Sequence, residues 1–453
     1  MNYWVDPETA FRALYANAPL AFWLDSGRFA SDGTSYLGSA DRQVGASTPA
    51  ELAAGLGPEL ADRPAADVGE GTPNPLPGFR LGWIGWLGYE FGLRAQGVKG
   101  QPDAPTPESA FLFADRVIAF DHAAHTITLM ALTDAGGEAA ARVWLTETAG
   151  RLFPLKDQPP APLAEAPSAG AATEAHWRHD AARYAELIDR CQAAIHRGDA
   201  YQLCLTNEIR VAAHPDPVST YLRLRAASPS HHGGFLRFGE VSLLSSSPEQ
   251  FLRISPDRQI ETKPIKGTRP RGATLVRDLE LRAELESSEK ERAENLMIVD
   301  LMRNDLARVA ELGTVEVTSL LAVESYSNVH QLVSTIKATV RADLGPLDVI
   351  LATFPAGSMT GAPKISAMGI LSELEQGPRG IYAGAFGYLG LDGAVDLAMV
   401  IRSIVITPEG ASIGTGGGIT ALSIAAEEIE ETRVKSAPML AALGIGERPT
   451  GTL

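Results

Sequence analysis

The chain has 453 residues, 45% hydrophobic and 21% charged, with 39 Lys plus Arg against 55 Asp plus Glu and a formal net charge of −16. That composition excludes wholesale disorder, and the charge disfavours nucleic acid as a partner unless a basic patch is segregated. No apolar run reaches the roughly 18 residues that a membrane span needs, so no membrane partner is expected. The two cysteines argue against a disulfide framework and a cysteine-based zinc site. The start, Met1-Asn2-Tyr3-Trp4-Val5-Asp6-Pro7, has no basic or apolar signal region, and the reading is a cytoplasmic protein.

Residues 1–150 mix short apolar runs with turn clusters. Arg116–Phe120 and Thr126–Met130, joined through 121–125, read as a hairpin. Residues 151–175 hold Pro154, Pro159, Pro160, Pro162 and Pro167 among alanines, which reads as a linker. From 176 to 445 the pattern is regular. Tyr184, Leu187, Ile188, Cys191 and Ile195 predict an amphipathic helix closed near Gly198. Val241–Ser245 and Phe251–Ile254 read as strands. Residues 383–415 read as a meander with turns at 390–393 and 407–410, and a last helix runs from Ala425 to Leu443. Consecutive strands interrupted by long helices predict an α+β fold.

Two helices each carry a close carboxylate pair. Glu291 and Glu294 share one face, and Glu428 and Glu431 share another, with Lys435 one turn on. Two facing pairs would suit Mg²⁺, a hard cation that takes oxygen ligands, although glutamate pairs on helices ordinarily face solvent. Between Thr262 and Arg277 stand five basic residues and no acid, which reads as an anion-handling loop in an acidic chain. Gly414–Ile419 reads as a glycine loop between a strand and a helix, and Phe354–Lys364 as a second glycine-rich turn opening a helix. Neither is a Walker or dinucleotide motif. His176, His179, His231 and His232 read as surface or loop residues, and Cys191 and Cys204 as small buried hydrophobes.

In their order these segments resemble the chorismate-utilising enzymes. The resemblance rests on Gly198-Asp199-Ala200-Tyr201-Gln202-Leu203-Cys204-Leu205-Thr206, Ser247-Pro248-Glu249-Gln250-Phe251-Leu252, Pro264-Ile265-Lys266-Gly267-Thr268-Arg269-Pro270-Arg271 and Lys290-Glu291-Arg292-Ala293-Glu294-Asn295. Met297–Leu306, Gly361-Ala362-Pro363-Lys364, Ile401-Arg402-Ser403 and Gly416-Gly417-Gly418-Ile419 extend it. Leu24-Asp25-Ser26 and Gly85–Glu90 resemble the family's N-terminal region, so 1–150 resembles that of anthranilate synthase component I, and 176–445 the chorismate-binding catalytic domain. The resemblance implies antiparallel β-sheets packed between helices. It implies Mg²⁺ on Glu294 and Glu431, with Glu291 and Glu428 close behind. It places Lys435, Arg402, Tyr382, Gly417, Gly418, Gln202, Thr268 and Thr360 on the substrate.

Few residues decide the branch. Anthranilate synthases carry Ala where Lys266 stands, and the Lys is the pattern of aminodeoxychorismate synthase component I. Isochorismate and salicylate synthases carry a Lys base where Gln202 stands, and Gln has no useful basicity. The chemistry so implied has Glu249 as general acid and Lys266 as nucleophile, with Lys263, Arg269 and Arg271 lowering the Lys266 pKa if they face it. Ammonia would come from a separate glutamine amidotransferase subunit. The sequence departs from the family at Val329-His330-Gln331-Leu332, where Gln331 replaces the common His, leaving His330 and Gln331 a positioning role. It departs again at Leu422, where Asp is usual. Ser26 marks a possible tryptophan site. The competing readings are anthranilate synthase and a non-catalytic subunit on the same fold.

Overall fold

The computed structural model describes residues 1, 3–61, 78–101, 104–134, 136–164, 174–326 and 329–445. Two large sheets face each other, one of eleven strands and one of ten among the described residues, and their strands pair antiparallel. The elements that build the site, in chain order, are α1 (Ala181–Arg197), β1 (Gln202–Val211), β2 (Gln250–Ile254), β3 (Ile265–Pro270), α2 (Leu275–Ser287), α3 (Glu289–Ala307), β4 (Val329–Thr339), α4 (Lys364–Glu375), β5 (Gly410–Ile419) and α5 (Ala425–Ala442).

The inner faces of the two sheets meet in an aromatic core that includes Phe22, Tyr36, Trp86, Phe386 and Leu236. Helices cover the outer faces. Pro7–Leu14, Pro217–Ala227 and α5 lie on the first sheet, where Phe11, Tyr221 and Met439 are buried. On the second, α3 buries Ile298, Val299 and Met302. This is the expected α+β arrangement of antiparallel sheets packed between helices.

The sequence stretches before 150 and after 176 share both sheets. Leu20–Asp25 pairs with His232–Phe238, and Gly82–Leu87 pairs with Ala385–Gly390. The stretch read as a linker begins inside the helix Glu138–Leu152 and continues through the 3-10 turn Phe153–Leu155; its residues 165–173 lie outside the described residues. The expected hairpin forms as Arg116–Asp121 against Thr126–Ala131.

α1 forms for the reasons its sequence gives. Tyr184, Leu187, Ile188 and Cys191 line one buried face, and the Asp180 carboxylate accepts from Arg183 N–H at 2.8 Å. Gly198, at φ 86°, closes it. The glycines of 414–418 form no loop; they are the second half of β5, with Gly417 opposite Leu205 and Gly418 opposite Cys204. Glycine is a poor strand former, but here the side-chain space is taken: a Cβ on Gly414 would run into the Tyr382 ring. The basic stretch is likewise a strand, β3, laid against β4. His179 is buried, not a surface residue, with Nε2 at 2.9 Å from the Glu375 carbonyl, and burial pushes its pKa down.

Candidate active site

Lys266 lies on β3 just before a bulge, where the pairing with β4 slips between Ile265 and Thr268 and Gly267 adopts φ 81°. A Cβ on Gly267 would lie 3.0 Å from the Glu291 carboxylate. A Cβ on Gly418 would overlap Gln202 Nε2 and stand 3.6 Å from Lys266 Nζ. At the adjacent Gly417 it would lie 3.0 Å from Glu428 Oε2 and 3.9 Å from Glu431 Oε1. Bare of side chains at these two glycines, β5 lets Gln202 and Lys266 close on one of its faces and the α5 glutamates on the other.

Two ammonium groups sit among the glutamates. Lys435 Nζ is 2.6 Å from Glu431 Oε1 and donates to the Gly416 carbonyl at 2.8 Å. Lys290 Nζ is 3.6 Å from Glu428 Oε1. Glu428 is 3% exposed, and its Oε1 has no hydrogen-bond partner. Burial raises the Glu294 pKa, and Glu291 and Glu428 add to the rise against the pull of Lys266. Burial likewise raises Glu428, with Glu431 adding to it. Burial acts the same way on Glu431, but Lys435, Lys266 and Lys290 outweigh it and hold its pKa down.

Glu249 precedes β2 and is 5% exposed, with Oε1 unpartnered. Burial pushes its carboxyl up to about 7, against the opposing charge of Lys266, and the Ser358 hydroxyl is likewise buried without a partner. Lys266 differs from the expectation. Burial would lower its pKa, but Glu294, Cys204, Glu249 and Glu431 outweigh burial and raise it. The basic neighbours that were to depress it are each paired with a carboxylate, Arg269 also with Glu291 of the cluster at 3.7 Å. Lys263 lies 3.9 Å from Glu261, Arg269 is 2.8 Å from Glu284, and Arg271 is 2.7 Å from Asp278.

Arg402, at φ 52°, lies in the turn before Ser403–Thr407, and Tyr382 and Glu431 both act on its guanidinium. The Tyr382 ring packs on Gly414. The structure does not bring every predicted residue to the cluster. Thr360 turns its hydroxyl to the carbonyls of Ala356 and Gly357 at 3.3 and 3.2 Å, and Thr268 is exposed opposite Gln331. Ser26 is half-buried beside Asp25, which is locked to Arg225, and its N–H donates to Ser35 Oγ at 3.0 Å. His330 Nε2 stands 3.0 Å from Asp278 Oδ1, while Gln331 is buried. Sequence reasoning missed Lys290 and Ser358. The signal for Lys290 was its place four residues before Glu294, on the same helix face.

The chemistry of the donor set fits Mg²⁺: four carboxylates on two helices, two of them raised by burial with neighbouring glutamates adding to it, and one with a buried oxygen that accepts no hydrogen bond. With the side chains as they stand, no three His, Cys, Asp or Glu groups among the described residues are arranged to hold a metal ion. Lys435 and Lys290 take up part of that negative charge instead.

The profile of the family described as chorismate binding enzyme matches residues 32–441. The chain belongs to that family. Among curated chorismate-family relatives, aminodeoxychorismate synthases of Streptomyces pristinaespiralis and Streptomyces griseus are each 43% identical, over 97% and 96% of this chain. The chain spans 64% and 62% of the length of those two relatives. Anthranilate synthase component 1 of Streptomyces coelicolor is 38% identical, over 81% of this chain and 74% of that one. The crystal structure of anthranilate synthase component I from Streptococcus pneumoniae superposes with a TM-score of 0.73 at 28% identity, covering 93% of this chain and 92% of that one. No helix among the described residues is long and apolar enough to cross a membrane.

Proposed function

We propose that this chain is an enzyme that aminates chorismate at C4 to 4-amino-4-deoxychorismate, with Mg²⁺ as cofactor. The reaction would run in the cytoplasm as the step before 4-aminobenzoate in folate biosynthesis, with ammonia from a separate glutamine amidotransferase subunit. The observation that carries the reading is Lys266, lying against the Gly418 backbone and within the fields of Glu249, Glu294 and Glu431. The anthranilate branch has Ala there. The naming of the 43% identical relatives supports the same choice.

In this mechanism Lys435, Arg402, Tyr382 and the backbone N–H groups of Gly417 and Gly418 hold the two carboxylates of chorismate. Glu249 gives its proton to the departing C4 hydroxyl as Lys266 Nζ bonds to C2, and water leaves. Ammonia then bonds to C4 and the C2–N bond to Lys266 breaks. Gln202 supplies no base, so water is not activated at that point. Lys266 must be neutral to attack, and the carboxylates hold it protonated. Mg²⁺ held by Glu294 and Glu431, with Glu291 and Glu428 close behind, would supply positive charge against that field. Thr360 contributes through its carbonyl, which accepts from Cys204 N–H at 2.9 Å and holds β1 in place.

The need for delivered ammonia is supported by the cysteines. Cys191 and Cys204 are both buried; burial pushes the Cys191 thiol up to about 12 and raises Cys204 as well. Neither is an activated nucleophile for glutamine. The deciding experiment supplies the purified chain with chorismate, Mg²⁺ and an ammonium salt. A product that keeps the enolpyruvyl group supports amination at C4. Anthranilate, which has lost pyruvate, assigns the chain to the other branch, and binding without turnover makes it a non-catalytic subunit.

A further inference from the structure

One buried guanidinium lies behind the substrate side of the cluster, and the mechanism above does not use it. Arg379 Nε donates to Glu375 Oε2 at 2.8 Å, and Nη2 to Glu375 Oε1 at 2.7 Å. Nη1 donates to the Met359 carbonyl at 2.7 Å, and Nη2 also to the Cys204 carbonyl at 2.9 Å. The Tyr89 ring lies 4.0 Å from the guanidinium carbon. Glu375 Oε1 also accepts from the Thr206 amide and hydroxyl, both at 2.9 Å. The Glu90 carboxylate accepts from the backbone N–H groups of Arg379 and Gly380 at 2.7 and 2.8 Å.

The bonds to the Met359 and Cys204 carbonyls fix segments that carry proposed substrate contacts. Met359 precedes Thr360, whose carbonyl holds Cys204 N–H. Cys204 lies opposite Gly418 in the β1–β5 ladder and two residues from Gln202. Tyr382 follows Arg379 by three residues. One planar fork therefore sets the relative places of the turn before α4, of β1 and of the Tyr382 segment. A lysine has one point charge and no fork, so it cannot reproduce this geometry. Among the described bonds, Arg379 makes none to α3 or α5, which carry the four glutamates.

We propose that Arg379, oriented by Glu375, is a positioning residue for the chorismate-holding side of the site and leaves the glutamate side untouched. The proposal rests on the amination reading for its assay. The test compares the full chain with Arg379→Lys, Glu375→Gln and Thr206→Val. It measures kcat and KM for chorismate, the melting temperature, and Mg²⁺ affinity of the chorismate-free protein by calorimetry.

In Arg379→Lys, kcat/KM for chorismate should fall by roughly 10²-fold, the effect of about 1 Å of misplacement. Glu375→Gln should fall between Arg379→Lys and Thr206→Val. Thr206→Val removes one donor and leaves every Arg379 bond, so it should lose about fivefold. Mg²⁺ affinity should be unchanged in all three. Wild-type kinetics with only a lowered melting temperature would make the pair purely structural and overturn the proposal. A parallel loss of Mg²⁺ affinity would overturn it too, because it would mean general loosening. If Arg379→Lys does not fold, Glu375→Gln decides, because it alters the two bonds that orient the Arg379 fork. If the wild type binds chorismate without aminating it, the amination reading fails on its own. The pair is then read from chorismate affinity, which should weaken in the variants; unchanged affinity refutes it.

Discussion

Glu249→Gln tests the general acid and the electrostatics of the site together. Burial raises the Glu249 pKa from its ordinary 4.5 to about 7. A carboxyl whose native pKa lies above its unfolded value holds its proton more tightly when folded. Below about pH 4.5 both states are protonated and nothing is lost. As pH rises toward 7 the unfolded chain ionises first, and stability falls. Above 7 a constant penalty of roughly 3 kcal/mol remains, at 1.36 kcal/mol per unit. The amide cannot ionise, so Glu249→Gln escapes this penalty. Its stability relative to wild type should improve by about 2 to 3 kcal/mol between pH 5 and pH 8. Any fixed cost of seating the amide cancels in that difference. Urea titrations at the two pH values measure it. Turnover should drop by roughly 10² to 10⁴, the usual weight of a general acid. With free ammonia held constant, wild-type kcat/KM should fall above about pH 7, as Glu249 loses its proton. A stability difference that does not change with pH, or a variant with wild-type turnover, would refute the reasoning.

Glu294→Ala and Glu431→Ala should each abolish turnover while the fold persists, because the proposed Mg²⁺ loses a principal ligand; near-normal activity at limiting Mg²⁺ would count against the assignment. Chorismate without ammonia should leave a mass adduct on the Lys266 peptide, absent in Lys266→Ala, and an unmodified Lys266 with a fully active Ala variant would exclude covalent catalysis. The chain should use ammonium salts better at higher pH and should not use glutamine. Glutamate release matching amination, and lost on Cys191→Ala or Cys204→Ala, would overturn the need for a partner.

The elements legible in the sequence were those whose burial repeats locally. The Tyr184–Cys191 stripe buries one face of a helix, and the 116–131 hairpin and the strands after 383 are apolar runs between turns, although those last strands form one hairpin in each sheet and not the single meander expected. The glycines of β5 defeated the same reasoning. Propensity reads them as a loop, yet the Tyr382 ring and the neighbouring strand fill the space above them. The joining of the N-terminal stretch to both sheets was not legible either. Pairs such as Asp25 with Gly233 or Trp86 with Phe386 span hundreds of residues and leave no local pattern. At the site, i,i+3 spacing revealed each carboxylate pair, but their placement around β5 came from resemblance alone. The direction of the Lys266 pKa was not legible because the nearest charges in sequence are not the nearest in space. Arg269 and Arg271 turn to Glu284 and Asp278, while Glu249 and Glu431 come from distant strands and helices.

The charges of the substrate-free site fix how its proposed ligands must enter. Lys435 sits on Glu431, Lys290 lies near Glu428, and Lys266 stands in the field of Glu294, Glu249 and Glu431. Chorismate brings two negative charges and Mg²⁺ two positive ones, so together they add no net charge to a partly buried cluster. Either alone unbalances it, and an unpaired charge in such a place is costly. A dianion arriving alone meets glutamates whose ammonium partners are already engaged. Lys435 is the group the resemblance assigns to the substrate carboxylate, and it becomes free for that role only when another cation takes Glu431. The two ligands should therefore bind with positive coupling, and linkage requires the same factor in both directions. Calorimetry of chorismate with and without saturating Mg²⁺, and of Mg²⁺ with and without chorismate, should return equal ratios above one. Lys435→Met leaves Glu431 without its ammonium, so it should tighten Mg²⁺ in the chorismate-free protein. Chorismate affinity that ignores Mg²⁺ would show that the glutamates and the chorismate-holding residues do not form one electrostatic unit.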